Sequence, residues 1–219
     1  AAHCVYNEAR GGWSDECRIY PSYDHDSSNY SSNYYTTTWS RGYTDWDVNG
    51  DGTIPTGDNI SGSLTGTEKD IALLSLTKDI GSIYGWMGLK FDFNGGSASK
   101  LGYPGKYDYN LMYDEGIIYK DSIDNFFWYN KNDIETNGGD SGGPIYVNSG
   151  GSSGYQVVGV HSSLGNTGNA CALIAHSSWL LEEIEANNYL YDKSFATITS
   201  ANNVEEGSSI SFTFKTHKS

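Results

Sequence analysis

The apolar residues of this chain occur in runs that are too short for most helices. Five runs of four to seven residues are separated by clusters of Gly, Asn and Asp: IALLSL (71–76), GIIY (116–119), NFFWY (125–129), PIYV (144–147) and YQVVGVH (155–161). Short apolar runs bounded by turn residues are typical of strands in sandwiches and barrels. The 27 Gly and 18 Tyr also suit many short strands joined by turns. The sequence therefore predicts an all-β fold.

One longer segment has the pattern of a helix. In SSWLLEEIEANN (177–188), a serine at the start can cap the helix and two asparagines suit its end. Leu180, Leu181 and Ile184 form its apolar stripe. We expect this helix to close the main domain.

The charge balance excludes two classes of partner. Thirteen Lys and Arg against 27 Asp and Glu give a formal net charge of -14, which repels nucleic acids and anionic membranes. No apolar run approaches the roughly 20 residues that cross a bilayer. An acidic chain rich in Tyr, Ser and Asn suits a secreted protein, so we expect an extracellular location.

The strongest local signal for chemistry is TNGGDSGGPIY (136–146). Small residues around Ser141 allow the backbone to turn tightly and to aim the N–H groups of Gly139 and Ser141 at one oxygen, as in an oxyanion hole. A serine nucleophile also needs a base and a group that orients the base. His3 in AAHC and Asp70 in EKDIALLSL precede Ser141 in the order His, Asp, Ser. We therefore predict a catalytic triad of these three residues.

The segments AAHC, DIALL and GDSGGP resemble the three signature segments of trypsin-like serine endopeptidases, over residues 1 to about 190. The resemblance implies two six-stranded antiparallel barrels with a C-terminal helix, and protein or peptide substrates. In that family several strands of the first barrel precede the histidine. We therefore expect an incomplete first barrel within a protease domain of residues 1–191, and the missing N-terminal segment is a candidate partner. Residues 192–219 return to β alternation and are expected to be a linker or the start of a truncated immunoglobulin-like module.

Two further segments, LGYPG (101–105) and YNKNDIETNGGDSGGP (129–144), resemble the bacterial glutamyl endopeptidase branch. In that branch a histidine and a threonine hold the substrate carboxylate, and the matching positions here are His161 and Thr136. The resemblance therefore implies cleavage after Glu or Asp. An imidazole and a hydroxyl can donate to a carboxylate without a permanent cation. The alternative for His161 is a histidine that is hydrogen-bonded within a core strand.

Alternatives to this interpretation stay open. Glu135 lies six residues before Ser141, where the trypsin branch holds the acid that selects Lys or Arg, so cleavage after basic residues is one alternative. Another is an inactive protease-like binding module or fragment, although all three triad residues are present. Ser162 matches the serine that the superfamily buries against the catalytic aspartate; the other interpretation is an ordinary strand serine.

The cysteines are assigned by the same resemblance. In some bacillary members of the branch, the cysteine after the catalytic histidine is linked a short distance downstream, which implies a disulfide between Cys4 and Cys17. Cys171 lies in the strand-like run ACALIA and is predicted to be a buried thiol, with a bond to upstream sequence as the alternative.

The loop DVNGDGTIPTGD (47–58) has the oxygen-ligand spacing of an EF-hand. Its candidate Ca²⁺ ligands are Asp47, Asn49, Asp51, Thr53 and Asp58. A polar turn built on NGDG is the alternative. A bound Ca²⁺ would order an acidic loop, so we expect a structural ion and no cofactor for catalysis.

Overall fold

The computed structural model describes most of the chain between its first residue and the end of the C-terminal helix. The described residues are 1–7, 11–21, 23, 34–43, 67, 69–121, 126–151, 154–164, 169–173 and 178–191. The loop 47–58 and the segment 192–219 lie outside them, so the calcium site and the second module stay predictions. Among the described residues, no helix is long and apolar enough to cross a membrane, and no group of His, Cys, Asp and Glu could hold a metal ion.

In the described part of the N-terminal half, five strands form two antiparallel sheets. They are β1 (Tyr6–Asn7), β2 (Gly12–Trp13), β3 (Arg18–Ile19), β4 (Tyr35–Gly42) and β5 (Ala72–Leu76). Strands β1 and β2 form one pair, and β3, β4 and β5 form a three-stranded sheet in that order. In the described part of this half, the strands do not close into a six-stranded barrel.

The C-terminal half is a closed barrel. Its strands are β6 (Gly88–Leu89), β7 (Gly95–Gly102), β8 (Met112–Lys120), β9 (Phe126–Tyr129), β10 (Pro144–Asn148), β11 (Tyr155–Leu164) and β12 (Asn169–Leu173). Six of them follow the antiparallel order β10-β7-β8-β9-β12-β11, and β11 pairs back to β10. Strand β6 adds to β11 in parallel. The expected all-β fold is confirmed, and each short apolar run of the sequence contributes to a strand.

The barrel core follows from the alternation of side chains along the strands. Fully buried residues from five segments of this half pack together: Ile118, Phe127, Tyr129, Ile134, Ile145 and Val158. Adjacent residues on β8 show the alternation directly, because Ile118 is 0% exposed whereas Ile117 is 39% exposed.

Two helices complete the described fold, α1 (Gly81–Tyr84) and α2 (Ser178–Tyr191). The second confirms the predicted C-terminal helix and ends three residues later than expected. Leu180 of α2 is buried against Ile71, which directly follows Asp70 in the chain. The α2 helix therefore covers the segment that carries the predicted triad aspartate.

The pair Ile117 and Ile118 tests the inward face of β8. We expect Ile118→Ala to lower the free energy of unfolding by about 2–5 kcal/mol, because the change opens a cavity in a packed core. The matched change Ile117→Ala should cost less, about 1 kcal/mol, because its side chain is partly in solvent and its removal opens no closed cavity. Urea unfolding of both variants measures the difference, and equal losses would contradict the orientation of β8.

Candidate active site

The loop that carries Ser141 runs between β9 and β10, and glycine is required along it by close backbone contacts. Gly139 and Gly142 have φ angles of +106° and +86°, a region that favours glycine. A Cβ at Gly139 would lie 2.7 Å from the carbonyl oxygen of Tyr103. The Gly142 N–H donates to the carbonyl of His161 (2.9 Å), and the His161 N–H donates to the carbonyl of Gly143 (2.9 Å). These bonds fix the loop against β11.

Two N–H groups of this loop have no acceptor in the part of the chain that the structure describes. The N–H groups of Asp140, Gly142 and Gly143 all donate to backbone carbonyls, at 3.1, 2.9 and 2.9 Å. Within the described residues, the N–H groups of Gly139 and Ser141 donate to no protein group. Both N–H groups that the sequence assigns to an oxyanion hole are therefore unpaired within the described residues.

A buried ion pair connects the nucleophile loop to β7 of the barrel. Nζ of Lys100 on β7 lies 2.6 Å from Oδ2 of Asp140, and the two side chains are 2% and 0% exposed. The Asn137 N–H donates to the same oxygen at 2.9 Å. A Cβ on Gly102 would approach Oδ1 of Asp140 to 2.0 Å, so the glycine leaves room for the carboxylate. The pair anchors the residue directly before Ser141 to the barrel.

Sequence analysis did not identify Lys100, although two signals for it were present. Lys100 lies two residues from Ala98 and from Gly102, so all three point to the same face of β7, and both neighbours are buried. In addition, an acid inside the tightly turned GDSGG segment needs a cation or several donors if it is buried. Neither signal shows that Lys100 is the partner of Asp140, because that requires knowing how the strands of the barrel pair.

His3, Asp70 and Ser162 form a chain of hydrogen bonds between the two halves. His3 lies in a 3₁₀ turn (Ala2–Cys4), and its Nδ1 is 2.7 Å from Oδ2 of Asp70. The backbone N–H of His3 donates to Oδ1 of Asp70 (2.8 Å), and the Ser162 hydroxyl donates to Oδ2 (2.7 Å). Asp70 is fully buried. Because Nδ1–H faces the carboxylate, Nε2 of His3 is left to accept a proton.

The same contacts shift the pKa of His3. Burial lowers this pKa, but the hydrogen bonds to Asp70 and Cys4, together with the Asp70 charge, outweigh burial and raise it to about 9. The pKa of Cys4 moves the other way: burial raises it, and the hydrogen bond to His3 and nearby positive charge lower it below the usual range. His3 and Cys4 therefore form an electrostatically linked pair.

Cys4 connects this pair to the nucleophile loop. Its Sγ lies 3.7 Å from the carbonyl oxygen of Ser141, so the turn that carries His3 packs on the loop that carries Ser141. Within the described contacts, the Ser141 hydroxyl is not hydrogen-bonded to His3; such bonds are often long in unliganded sites and tighten when substrate binds. The structure thus pairs His3 with Asp70 and packs their turn on the loop of Ser141, and the triad stays a prediction.

The predicted disulfide between Cys4 and Cys17 is not formed, and both thiols are free. The reason lies in the direction of each residue. Sγ of Cys4 points to Ser141, whereas Cys17 directly precedes β3, and its carbonyl accepts the Thr37 N–H at 3.3 Å from β4. This finding corrects the assignment made by resemblance. The prediction of a buried thiol at Cys171 falls on a side chain outside the described residues.

The residues predicted to set specificity lie in different environments. His161 is 1% exposed, and its Nδ1 is 2.6 Å from the hydroxyl of Tyr129. Burial, followed by the charges of Lys100 and His3, lowers the pKa of His161 to about 3. Thr136 is partly buried, and its hydroxyl donates to the carbonyl of Ile134 at 3.3 Å.

Glu135 is on the surface and is already paired. Its side chain is 47% exposed, and its carboxylate accepts hydrogen bonds from Lys106, Tyr107 and Asn137. The hydrogen bond from Lys106, followed by those from Asn137 and Tyr107, lowers the pKa of Glu135 to about 2. Glu135 also lines a cavity of about 200 Å³ with Lys100 and Asp140, and the lining of that cavity includes neither Thr136 nor His161.

The buried ion pair has a measurable consequence. We expect Lys100→Met to lower the free energy of unfolding by about 3–5 kcal/mol, because the Asp140 charge stays buried without its partner. A matched control is Lys90→Met, which removes an ion pair with Asp92 whose side chains are 22% and 27% exposed. The control should cost less than about 1 kcal/mol. Urea unfolding at neutral pH compares the two variants, and a loss at Lys100 no larger than at Lys90 would contradict this role.

The raised pKa of His3 predicts its titration. In NMR spectra the His3 ring should titrate near pH 9, and Cys4→Ala should lower the midpoint, because the Cys4 hydrogen bond and charge raise this pKa. Cys17→Ala should leave the midpoint unchanged. Because the pKa in the folded protein exceeds the ordinary value of 6.5, the stabilisation is complete below about pH 6.5 and is lost as the pH rises through 9. A midpoint near 6.5, or one insensitive to Cys4→Ala, would contradict the linkage.

Comparison with solved structures identifies proteins with a similar fold. No protein-family model matches the chain, and no curated protein matches it. Among solved structures, the chain is similar to a Glu endopeptidase in complex with MPD, with a TM-score of 0.61, 19% identity, and coverage of 85% of this chain and 78% of that one. It is also similar to the protease Anisep from Arthrobacter nicotinovorans, with a TM-score of 0.57, 20% identity, and coverage of 79% and 75%. At this identity the likeness establishes the fold, and it confirms the expected chymotrypsin-like architecture.

Proposed function

We propose that this protein is a serine endopeptidase that hydrolyses peptide bonds through an acyl-enzyme. One observation carries the proposal: the hydrogen-bonded pair of Asp70 and His3 lies against a loop in which the N–H groups of Gly139 and Ser141 have no acceptor among the described residues. A base, its orienting carboxylate, a serine and two oxyanion donors are the set of groups that acyl transfer needs. The likeness to two solved proteases supports the same reaction.

Each residue then has a defined step. The Ser141 oxygen attacks the substrate carbonyl carbon and gives its proton to Nε2 of His3, and the N–H groups of Gly139 and Ser141 stabilise the negative oxygen. Asp70 stabilises the imidazolium. The imidazolium returns the proton to the leaving amine, which departs and leaves an ester on Ser141. Water repeats the sequence, releases the acid product and restores the serine.

We further propose that the enzyme cleaves after Glu or Asp. A carboxylate side chain needs donors, and His161 is a neutral, buried imidazole whose backbone is bonded to the nucleophile loop. The likeness to a Glu endopeptidase favours the same preference.

The trypsin-like alternative has less support. It requires the carboxylate of Glu135 to meet a basic substrate side chain, whereas that carboxylate is already paired with Lys106. We propose protein or peptide substrates in either case. Secretion stays a prediction from composition.

Incubation of the protein with a peptide library, varied at the residue before the scissile bond, tests both proposals. The assay is run near pH 9, because His3 must be neutral to act as a base. We expect cleavage after Glu and Asp. Ser141→Ala should lower kcat by about a million-fold, as loss of a triad nucleophile does in other serine proteases.

Glu135→Gln separates the two specificities. It should change the preference for Glu over Lys by less than about threefold, since the carboxylate is neutralised by Lys106. Cleavage after Lys or Arg that is lost in Glu135→Gln would overturn the acidic preference while leaving the peptidase proposal intact. Absence of any cleavage that depends on Ser141 would overturn the peptidase proposal itself and favour the inactive protease-like module.

A further inference from the structure

The hydrogen bond between Tyr129 and His161 connects two strands that are not neighbours. Tyr129 ends β9, His161 lies on β11, and β12 runs between them: its Asn169 pairs with Tyr129 and its Cys171 pairs with His161. The two side chains nevertheless meet, with 2.6 Å between the Tyr129 hydroxyl and Nδ1 of His161. Tyr129 is 0% exposed and His161 is 1% exposed, so water does not compete for this bond.

The surroundings of His161 keep its ring neutral at physiological pH. Burial disfavours the imidazolium, and the positive charges of Lys100 and His3 add to this effect. A neutral imidazole carries one proton, on either Nδ1 or Nε2, and the other nitrogen is an acceptor. The choice of tautomer therefore decides whether Nε2 can donate to a ligand or can only accept.

Within the described residues, no protein group is hydrogen-bonded to the other ring nitrogen of His161, Nε2. The backbone of His161 is bonded on both sides to the nucleophile loop, through Gly142 and Gly143, and the next residue, Ser162, holds Asp70. The position of the His161 backbone is therefore fixed relative to Ser141.

We propose that Tyr129 is a positioning residue for substrate specificity, whose hydroxyl donates to Nδ1 of His161 and thereby holds the tautomer in which Nε2–H binds the substrate carboxylate. This inference rests on the proposed cleavage after Glu or Asp. In the opposite tautomer, Nδ1–H would donate to the Tyr129 oxygen, and the Nε2 lone pair would repel a carboxylate. The direction of the hydrogen bond between Tyr129 and His161 thus decides whether the site binds acidic side chains or rejects them.

Tyr129→Phe tests the assignment without changing the shape of the core residue. We expect kcat/KM for a Glu peptide to fall about 10- to 100-fold, because Nδ1 loses its buried donor and the Nε2–H tautomer is no longer held. The matched Gln peptide accepts a hydrogen bond but carries no charge, so its kcat/KM should fall less than about threefold. The ratio between the two peptides is independent of the fraction of folded enzyme. It therefore remains informative if the variant is less stable.

Tyr146→Phe is the matched control. Tyr146 lies on β10, is 7% exposed, and its hydroxyl is hydrogen-bonded to Ser99. This variant loses a hydroxyl of the same kind from the same barrel, and it should leave the Glu to Gln ratio unchanged. A ratio that falls equally in Tyr129→Phe and Tyr146→Phe would overturn the inference.

A double-mutant cycle shows whether Tyr129 acts through His161. In a His161→Ala background, Tyr129→Phe should lower the Glu to Gln ratio no further. Nitrogen-15 NMR of the His161 ring reports the tautomer directly. We expect the proton on Nε2 in the unmodified protein and a loss of that preference in Tyr129→Phe, whereas a proton on Nδ1 in the unmodified protein would overturn the inference.

The outcomes separate the two levels of the proposal. An unmodified enzyme that prefers Glu to Gln, with the preference retained in Tyr129→Phe, would overturn the role of Tyr129 and leave the proposed specificity intact. An unmodified enzyme that shows no preference for Glu would overturn the specificity and this inference together, while cleavage dependent on Ser141 would still support the peptidase reaction.

Discussion

The buried carboxylate of Asp70 is the constraint on which the arrangement of the two halves depends. A charge without solvent is costly unless hydrogen bonds replace its hydration, and Asp70 accepts three: two from His3 and one from Ser162. The histidine belongs to the N-terminal turn and the serine to β11 of the barrel. Satisfying one carboxylate therefore requires both halves to meet at this point, and the meeting places His3 against the loop of Ser141.

A second buried carboxylate, Asp140, is paired through one oxygen only: Oδ2 has partners, whereas Oδ1 has no hydrogen-bond partner within the described residues. Its partner Lys100 belongs to the same barrel, and the Asn137 N–H adds a further donor. In the proposed acyl transfer, His3, the partner of Asp70, would gain and lose a proton, whereas Lys100, the partner of Asp140, takes no part in the proton transfers. The two acids therefore differ in their partners. Asp70 interacts with a histidine whose protonation can change, whereas Asp140 holds the nucleophile loop at a fixed place on β7.

Sequence reasoning reached the local features and missed those created by closure of the barrel. The apolar runs predicted the strands, and a capped apolar stripe predicted α2 to within three residues at its end. The triad came from motifs that each span only a few residues. The contacts between Lys100 and Asp140 and between Tyr129 and His161 join residues 40 and 32 positions apart, and only the strand order brings them together. The error at Cys4 and Cys17 has a related cause, because sequence spacing does not specify the direction of the Cβ atoms that a disulfide needs.

The low pKa of His161 is compatible with recognition of an anion. A cationic histidine would bind a carboxylate more strongly in isolation, but burial and the charges of Lys100 and His3 oppose a further positive charge at this place. The same positive potential that destabilises an imidazolium stabilises a carboxylate, since the two carry opposite charge. Lys100 therefore has two effects: it pairs with Asp140, and its charge opposes protonation of His161. Under the proposed cleavage after Glu or Asp, a neutral His161 would bind the substrate carboxylate by donation from Nε2.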